Sequence, residues 1–194
     1  MNMNKNTKKI VGIGLFTAIV VVLQLLGSFI KFGAFSISLV LIPIVVGTAL
    51  YGVGAGAWLG AAFGITVLLS GDAAPFLAVN VFGTVATVLV KGALCGTCAG
   101  LVYKALEKKN KYVATICAAI TAPVVNTGVF LLGCLIFFMP TITEWAHGLG
   151  FESAGKYMLV GFVGFNFLFE LGVNIVLSPV IVRLVNIGKK EHKD

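Results

Sequence analysis

Apolar runs alternate with short polar links along the chain, and six runs can be marked: 10–30, 36–51, 54–70, 80–106, 113–138 and 157–187. A helix needs about 20 mostly apolar residues to cross a bilayer. The first, fourth, fifth and sixth runs meet that length and predict spanning helices. The second, with Pro43 inside it, and the third are shorter. At ~1.5 Å per residue each reaches about 25 Å, below the ~30 Å hydrocarbon thickness. Between them Tyr51-Gly52-Val53-Gly54 reads as a tight turn using glycine's freedom. The pair forms either a spanning hairpin in a thinned region or a re-entrant element. Its near-sufficient length favours the hairpin.

The positions of the basic residues orient these runs. Lys5, Lys8 and Lys9 precede the first run. Lys104, Lys108, Lys109 and Lys111 lie around the link between the fourth and fifth, and Arg183, Lys189, Lys190 and Lys193 surround the end of the sixth. With six crossings all of these fall on one side, which the positive-inside rule makes the cytoplasm. The other side holds only Lys31 and Lys156. The expectation is one all-α membrane domain over residues 1–194, a six-helix bundle with both termini cytoplasmic, multi-pass in the cell membrane. A re-entrant second and third run would keep the same parity. The first run has a signal-like basic flank, but it is long for a signal h-region and no clear small-residue cleavage site follows, so it reads as a retained helix.

Composition agrees with a bilayer as the solvent: 59% of residues are hydrophobic and 11% charged, against about 25% charged in a soluble domain. The net charge of +7 follows the topology and does not point to nucleic acid. Cys95, Cys98, Cys117 and Cys134 all lie in apolar runs, and the C-x-x-C at Cys95 and Cys98 has no second Cys or His pair at zinc spacing. They read as packed, reduced thiols, with no metal expected. No P-loop, H-E-x-x-H or G-x-S-x-G occurs, so the chain reads as a non-enzyme with no cofactor of its own.

Chemistry concentrates where polarity interrupts the apolar runs. Lys91 lies deep in the fourth run, where a charge costs roughly 3 kcal/mol on insertion scales. Glu170, in the sixth, is the only acid at similar depth. From helix rise, Lys91 lies about 16 Å below the outer end of its run, Glu170 about 21 Å and Asn126 about 18 Å. Asn166, Glu170 and Asn174 share one helix face by their four-residue spacing, and Asn80, Thr84, Thr87 and Lys91 share a face of the fourth run in the same way. Two readings follow. Lys91 and Glu170 neutralise each other within the bundle, or the polar stripes and Asn126 line a cavity for a small polar molecule. The abundance of amides favours the cavity. Asp72, Phe35, Phe76 and Trp145 could close its mouth. The outer loop 139–156, with Trp145, His147, Glu144 and Glu152, is either a lid or an interfacial anchor. Gly14 and Ala18 form a small-xxx-small step on the first helix, and Gly92, Gly96 and Gly100 repeat it on the fourth. Such steps allow close helix contact in lipid. It is expected within the chain for the fourth helix and open to another protein for the first.

The blocks GLFTAIVVVLQLLG, SLVLIPIVVGTALYGVGAGAWLGAAFGITVLLSGD, LVKGALCGTCAGLVYKAL, APVVNTGVFLLG and NFLFELGVNIVLSP together resemble the substrate-binding S components of energy-coupling factor (ECF) vitamin transporters, over nearly the whole chain. The resemblance implies the six-helix S-component fold, with a water-soluble vitamin or precursor bound near the outer face by the outer loops and the fourth to sixth helices. It implies a T component and two ATPase subunits as partners, which use the ATP, and an S component that topples to release its ligand inward. The family's A-x-x-x-A contact with the T component would fall on Gly14, Ala18 and Val22, with Gly and Val in place of alanines. The overall pattern is nearest the pantothenate-type group, and Lys91 would suit a carboxylate or phosphate. The site residues expected are Lys91, Asn80, Asn126, Asn166, Glu170, Asn174, Asp72, Trp145 and Phe35. The competing reading is a self-sufficient small-solute or proton-coupled carrier with Lys91 and Glu170 as a relay.

Overall fold

A computed structural model describes residues 4–29, 31–32, 35–36 and 39–191. Its elements in chain order are α1 (Lys5–Phe29), β1 (Lys31–Phe32), β2 (Phe35–Ser36), α2 (Leu41–Tyr51), α3 (Val53–Leu69), α4 (Ala74–Leu77), α5 (Val81–Leu106), α6 (Lys111–Phe137), α7 (Met139–Gly148), α8 (Ala154–Tyr157), a π-helix (Met158–Phe167), α9 (Leu168–Val176) and α10 (Ser178–Glu191). The described elements are thus helices, apart from a two-residue antiparallel ladder pairing Lys31 with Ser36 and Phe32 with Phe35. That ladder takes the opening residue of the second apolar run, so α2 begins later than the hydropathy suggests. Among the described residues Asn6–Phe29, Val81–Leu106 and Lys111–Phe137 are each long and apolar enough to cross a membrane, and Leu168–Val176 with Ser178–Lys189 make a fourth, bent candidate.

Local chemistry explains the boundaries. Asn80 caps α5, its Oδ1 accepting from the Gly83 N–H at 2.9 Å. Asn110 caps α6, accepting from Tyr112 and Val113 at 2.9 and 3.2 Å. Each side-chain carbonyl satisfies N–H groups that the helix cannot. Gly52 joins α2 to α3 at φ 95°, a left-handed conformation that only glycine adopts without penalty. This one residue reverses the chain where the sequence predicts a tight turn.

The sixth apolar run is not one straight helix. It winds first as a π-helix, then as α9, and bends by 53° into α10. Pro179 causes the bend, because it has no N–H to return to the carbonyl four residues back and its ring crowds that carbonyl. The Ser178 hydroxyl donates to the Asn174 carbonyl at 2.7 Å, which keeps the backbone at the break partly satisfied.

The tightest packing is backbone against backbone. A Cβ placed on Gly60 would collide with the Gly92 carbonyl, and one on Gly56 with the Gly96 carbonyl. The converse holds for Gly92 and Gly96. Glycine at four-residue intervals on α3 therefore meets glycine at the same interval on α5, and the axes approach as only small residues allow. The stripe expected on the fourth run packs within the chain, against a matching stripe on α3. The main core, with Val20, Leu41, Ile44, Leu59, Phe63, Val88, Ala118 and Ile181 among its members, surrounds this seam. A smaller cluster, including Phe138, Ile142, Ala146 and Tyr157, forms under α7 and α8 with Phe76, Phe130 and Trp145 packed against it.

Candidate functional site

Lys91 is presented by α5 just beside the glycine seam, and its side chain is half-buried. Its ammonium lies 5.3 Å from the ring centroid of Phe130 on α6 and 5.7 Å from that of Phe63 on α3. Both are within reach of a cation–π attraction. Among the described residues the ammonium forms no ion pair within 4.0 Å. Glu170 is nonetheless its foremost electrostatic neighbour, ahead of Cys95, Cys134 and Asp72. Glu170 thus lies near the ammonium without pairing with it.

Glu170 and Asn174 project from one face of α9 and are 2% and 1% exposed. The Asn174 amide donates from Nδ2 to the Glu170 backbone carbonyl at 2.8 Å, leaving its Oδ1 without a partner. Asn126 on α6, also buried, brings its side-chain amide to the Glu170 carboxylate. Its own Oδ1 and the Glu170 Oε2 have no hydrogen-bond partner. Thr87 Oγ1 on α5 is likewise unpartnered, with its side chain against Gly133 of α6. Lys91, Asn126, Glu170 and Asn174 are thus brought together from three helices, as the depth argument expects.

Other expected site residues take different positions. Asn80 serves as the α5 cap, and Thr84 beneath it donates to the Asn80 carbonyl at 2.7 Å. Asp72 Oδ2 accepts from Gln24 of α1 at 2.8 Å and from Ser70 at 3.2 Å, tying α1 to the link after α3. Trp145 packs on Phe76 at 5.5 Å, and Phe76 stacks edge-on to Phe130 at 5.6 Å and Phe138 at 5.1 Å. The segment 139–156 expected as a loop is mostly helix, α7 with the start of α8, and an aromatic chain runs from Trp145 on α7 to the ring beside Lys91. The side chains of Asn166 and Phe35 lie outside the described ones. Asn166 sits in the π-helix, so the four-residue phase linking it to Glu170 does not extend there.

Phe63 and Phe130 were not singled out by sequence. Phe130 follows Asn126 by four residues and so shares its face, which is the signal that could have found it. On α1 the small residues divide. Gly12 lies against the Tyr51 side chain of α2, while Gly14 has no neighbour within 4 Å of a built Cβ. Ala18 is exposed, and so is Val22, at 53%. The four cysteines are free, and no group of three or more metal-ligating side chains occurs among the described residues.

Residues 8–182 match the family described as ECF transporter, substrate-specific component. No match was found among curated proteins or solved structures.

Proposed function

The chain belongs to the substrate-specific components of ECF transporters, a membrane protein family, and on that premise we propose that it captures a small water-soluble vitamin or precursor from outside and delivers it inward with a T component and two ATPase subunits. The family match carries this reading. The proposed topology has six crossings, with α2 and α3 as a short hairpin and both termini cytoplasmic, as the lysine distribution favours. The proposed capture site is the cluster of Lys91, Asn126, Glu170 and Asn174. Lys91 supplies a point charge for an acidic group, which suits an acid of the pantothenate type. Phe63 and Phe130 flank the ammonium, and the chain Phe130–Phe76–Trp145 connects the site to α7, which with α8 would close over it. The outward face of α1 at Gly14, Ala18 and Val22 is proposed to meet the T component.

Uptake in cells lacking their own ECF module tests the reading. Accumulation that appears only when the T component and both ATPases are co-expressed supports it. Accumulation by this chain alone, abolished by collapsing the proton gradient, replaces it with the self-sufficient carrier.

A further inference from the structure

Three buried oxygens of the candidate site have no donor: Glu170 Oε2, Asn126 Oδ1 and Asn174 Oδ1. All three residues are more than nine-tenths buried. Buried polar atoms in native proteins are nearly always hydrogen-bonded, so three such oxygens in one cluster, with only the unpartnered Thr87 hydroxyl beside them able to donate as well as accept, call for explanation. Their polarity is fixed by neighbours. Turning the Asn174 amide over would set its oxygen against the Glu170 carbonyl, which now accepts from Nδ2 at 2.8 Å. Turning Asn126 over would set its oxygen against the Glu170 carboxylate, which its amide now faces. Both free ends are therefore acceptors. Across the site stands Lys91, which is donor-only and meets ring faces in place of an ion pair.

Resting on the substrate-capture reading, we infer that the ligand is bipolar: an acidic or carbonyl end faces Lys91, and the opposite end carries at least two N–H or O–H groups that Glu170, Asn126 and Asn174 receive. The alternatives fit less well. A simple anion such as inorganic phosphate would satisfy Lys91, leave the amide oxygens unpaired and bring its charge toward Glu170. A metal cation would meet the Lys91 ammonium, which is the leading charged neighbour of Glu170. A hydroxylated or amide-bearing acid serves both ends at once, with the Phe63 and Phe130 rings beside the Lys91 end. Selectivity then comes chiefly from the acceptor end, because a site with buried hydrogen-bonding groups strongly rejects an analogue that leaves them unpaired.

The test begins with the full-length protein purified in detergent. The small molecule it carries is released by denaturation and identified by high-resolution mass spectrometry. Binding of that molecule, and of its O- or N-methylated derivative, is then measured on ligand-free protein and on Glu170→Gln and Asn126→Ser. Size-exclusion profile and thermal unfolding verify that each variant is folded. Glu170→Gln is isosteric and serves if Asn126→Ser does not fold. The expected result is a molecule with an acidic or carbonyl group and at least two N–H or O–H donors. Its binding should weaken at least tenfold both on methylation and in the folded variants. A molecule without such donors, or one whose binding ignores both methylation and the substitutions, overturns the inference and leaves the capture reading standing. If no molecule is released, and pantothenate and its carboxyl-reduced alcohol are not taken up even with the ATPase module present, the capture reading fails and the inference with it.

Discussion

Replacing Lys91 by Met separates a ligand-reading charge from a structural one. The ammonium costs about 3 kcal/mol to hold at membrane depth. The rings of Phe130 and Phe63, at 5.3 and 5.7 Å, return roughly 0.5–2 kcal/mol each. Methionine forfeits the ring contacts and relieves the insertion cost, so these two effects nearly cancel. What remains is the attraction to Glu170. No Lys91 ion pair lies within 4.0 Å among the described residues, so this attraction falls below the ~4 kcal/mol that unit charges at 4 Å have at an effective dielectric of 20. Lys91→Met should therefore lower stability by only about 1–2 kcal/mol. Binding should fall by as much or more while the protein stays folded. Losing a hydrogen bond to a charged group costs roughly 1.5–3 kcal/mol, or about 10- to 150-fold in Kd. The assay pairs thermal unfolding in detergent with calorimetric titration of the co-purifying ligand, on Lys91→Met, Glu170→Gln and the double variant. Were Lys91 only a counter-charge, the single change would strand a buried carboxylate at a cost of about 3–5 kcal/mol, and Glu170→Gln added to it would restore both stability and binding. That outcome would refute the assignment of Lys91 to the site.

The other expectations are more local. Gly60→Ala should destabilise by about 1–3 kcal/mol, the usual cost of overpacking, because its Cβ meets the Gly92 carbonyl. Gly14→Ala, with nothing within 4 Å, should leave the isolated protein's unfolding temperature unchanged. Ala18→Trp should abolish co-purification with the T component and uptake while ligand binding persists; retained assembly would move the interface off this face. An impermeant amine reagent applied to intact cells should label Lys31 and Lys156 and spare Lys109, and labelling of Lys109 would invert the proposed topology.

How far the sequence could be read depends on whether a feature is local. Asn80 and Asn110 cap α5 and α6 at the polar breaks where the apolar runs begin, and Gly52 turns the chain between α2 and α3 as its neighbours imply. Capping and turning need only a few adjacent residues. The stripe Gly92, Gly96 and Gly100 was legible as a packing surface, but its counterpart at Gly56, Gly60 and Gly64 was not. Which helix meets which is decided across tens of residues. The sixth run was read as continuous because hydropathy does not register the missing N–H of Pro179, and a π-helix has no hydropathic signature. Lys91 and Glu170 stood out because charge is scarce in lipid. Phe63 and Phe130 did not, being two of 15 phenylalanines in a chain where aromatic rings are ordinary filling.

The glycine seam also sets an order of events during synthesis. α3 is complete once Leu69 has left the ribosome, but its partner glycines at 92 and 96 follow some way behind. At about 5–20 residues per second, roughly thirty further residues take about 2–6 s. Throughout that interval α3 presents to lipid a face with almost no side chains, its backbone bonded internally and packed on nothing. Contacts to α1 and α2 restrain its other faces, such as the Trp58 indole donating to Thr17 of α1 at 3.1 Å and the Leu59 side chain against Gly47 of α2. The first two helices are thus the nascent chain's temporary scaffold, and a lesion in either would cut the yield of inserted protein even where the finished fold tolerates the change.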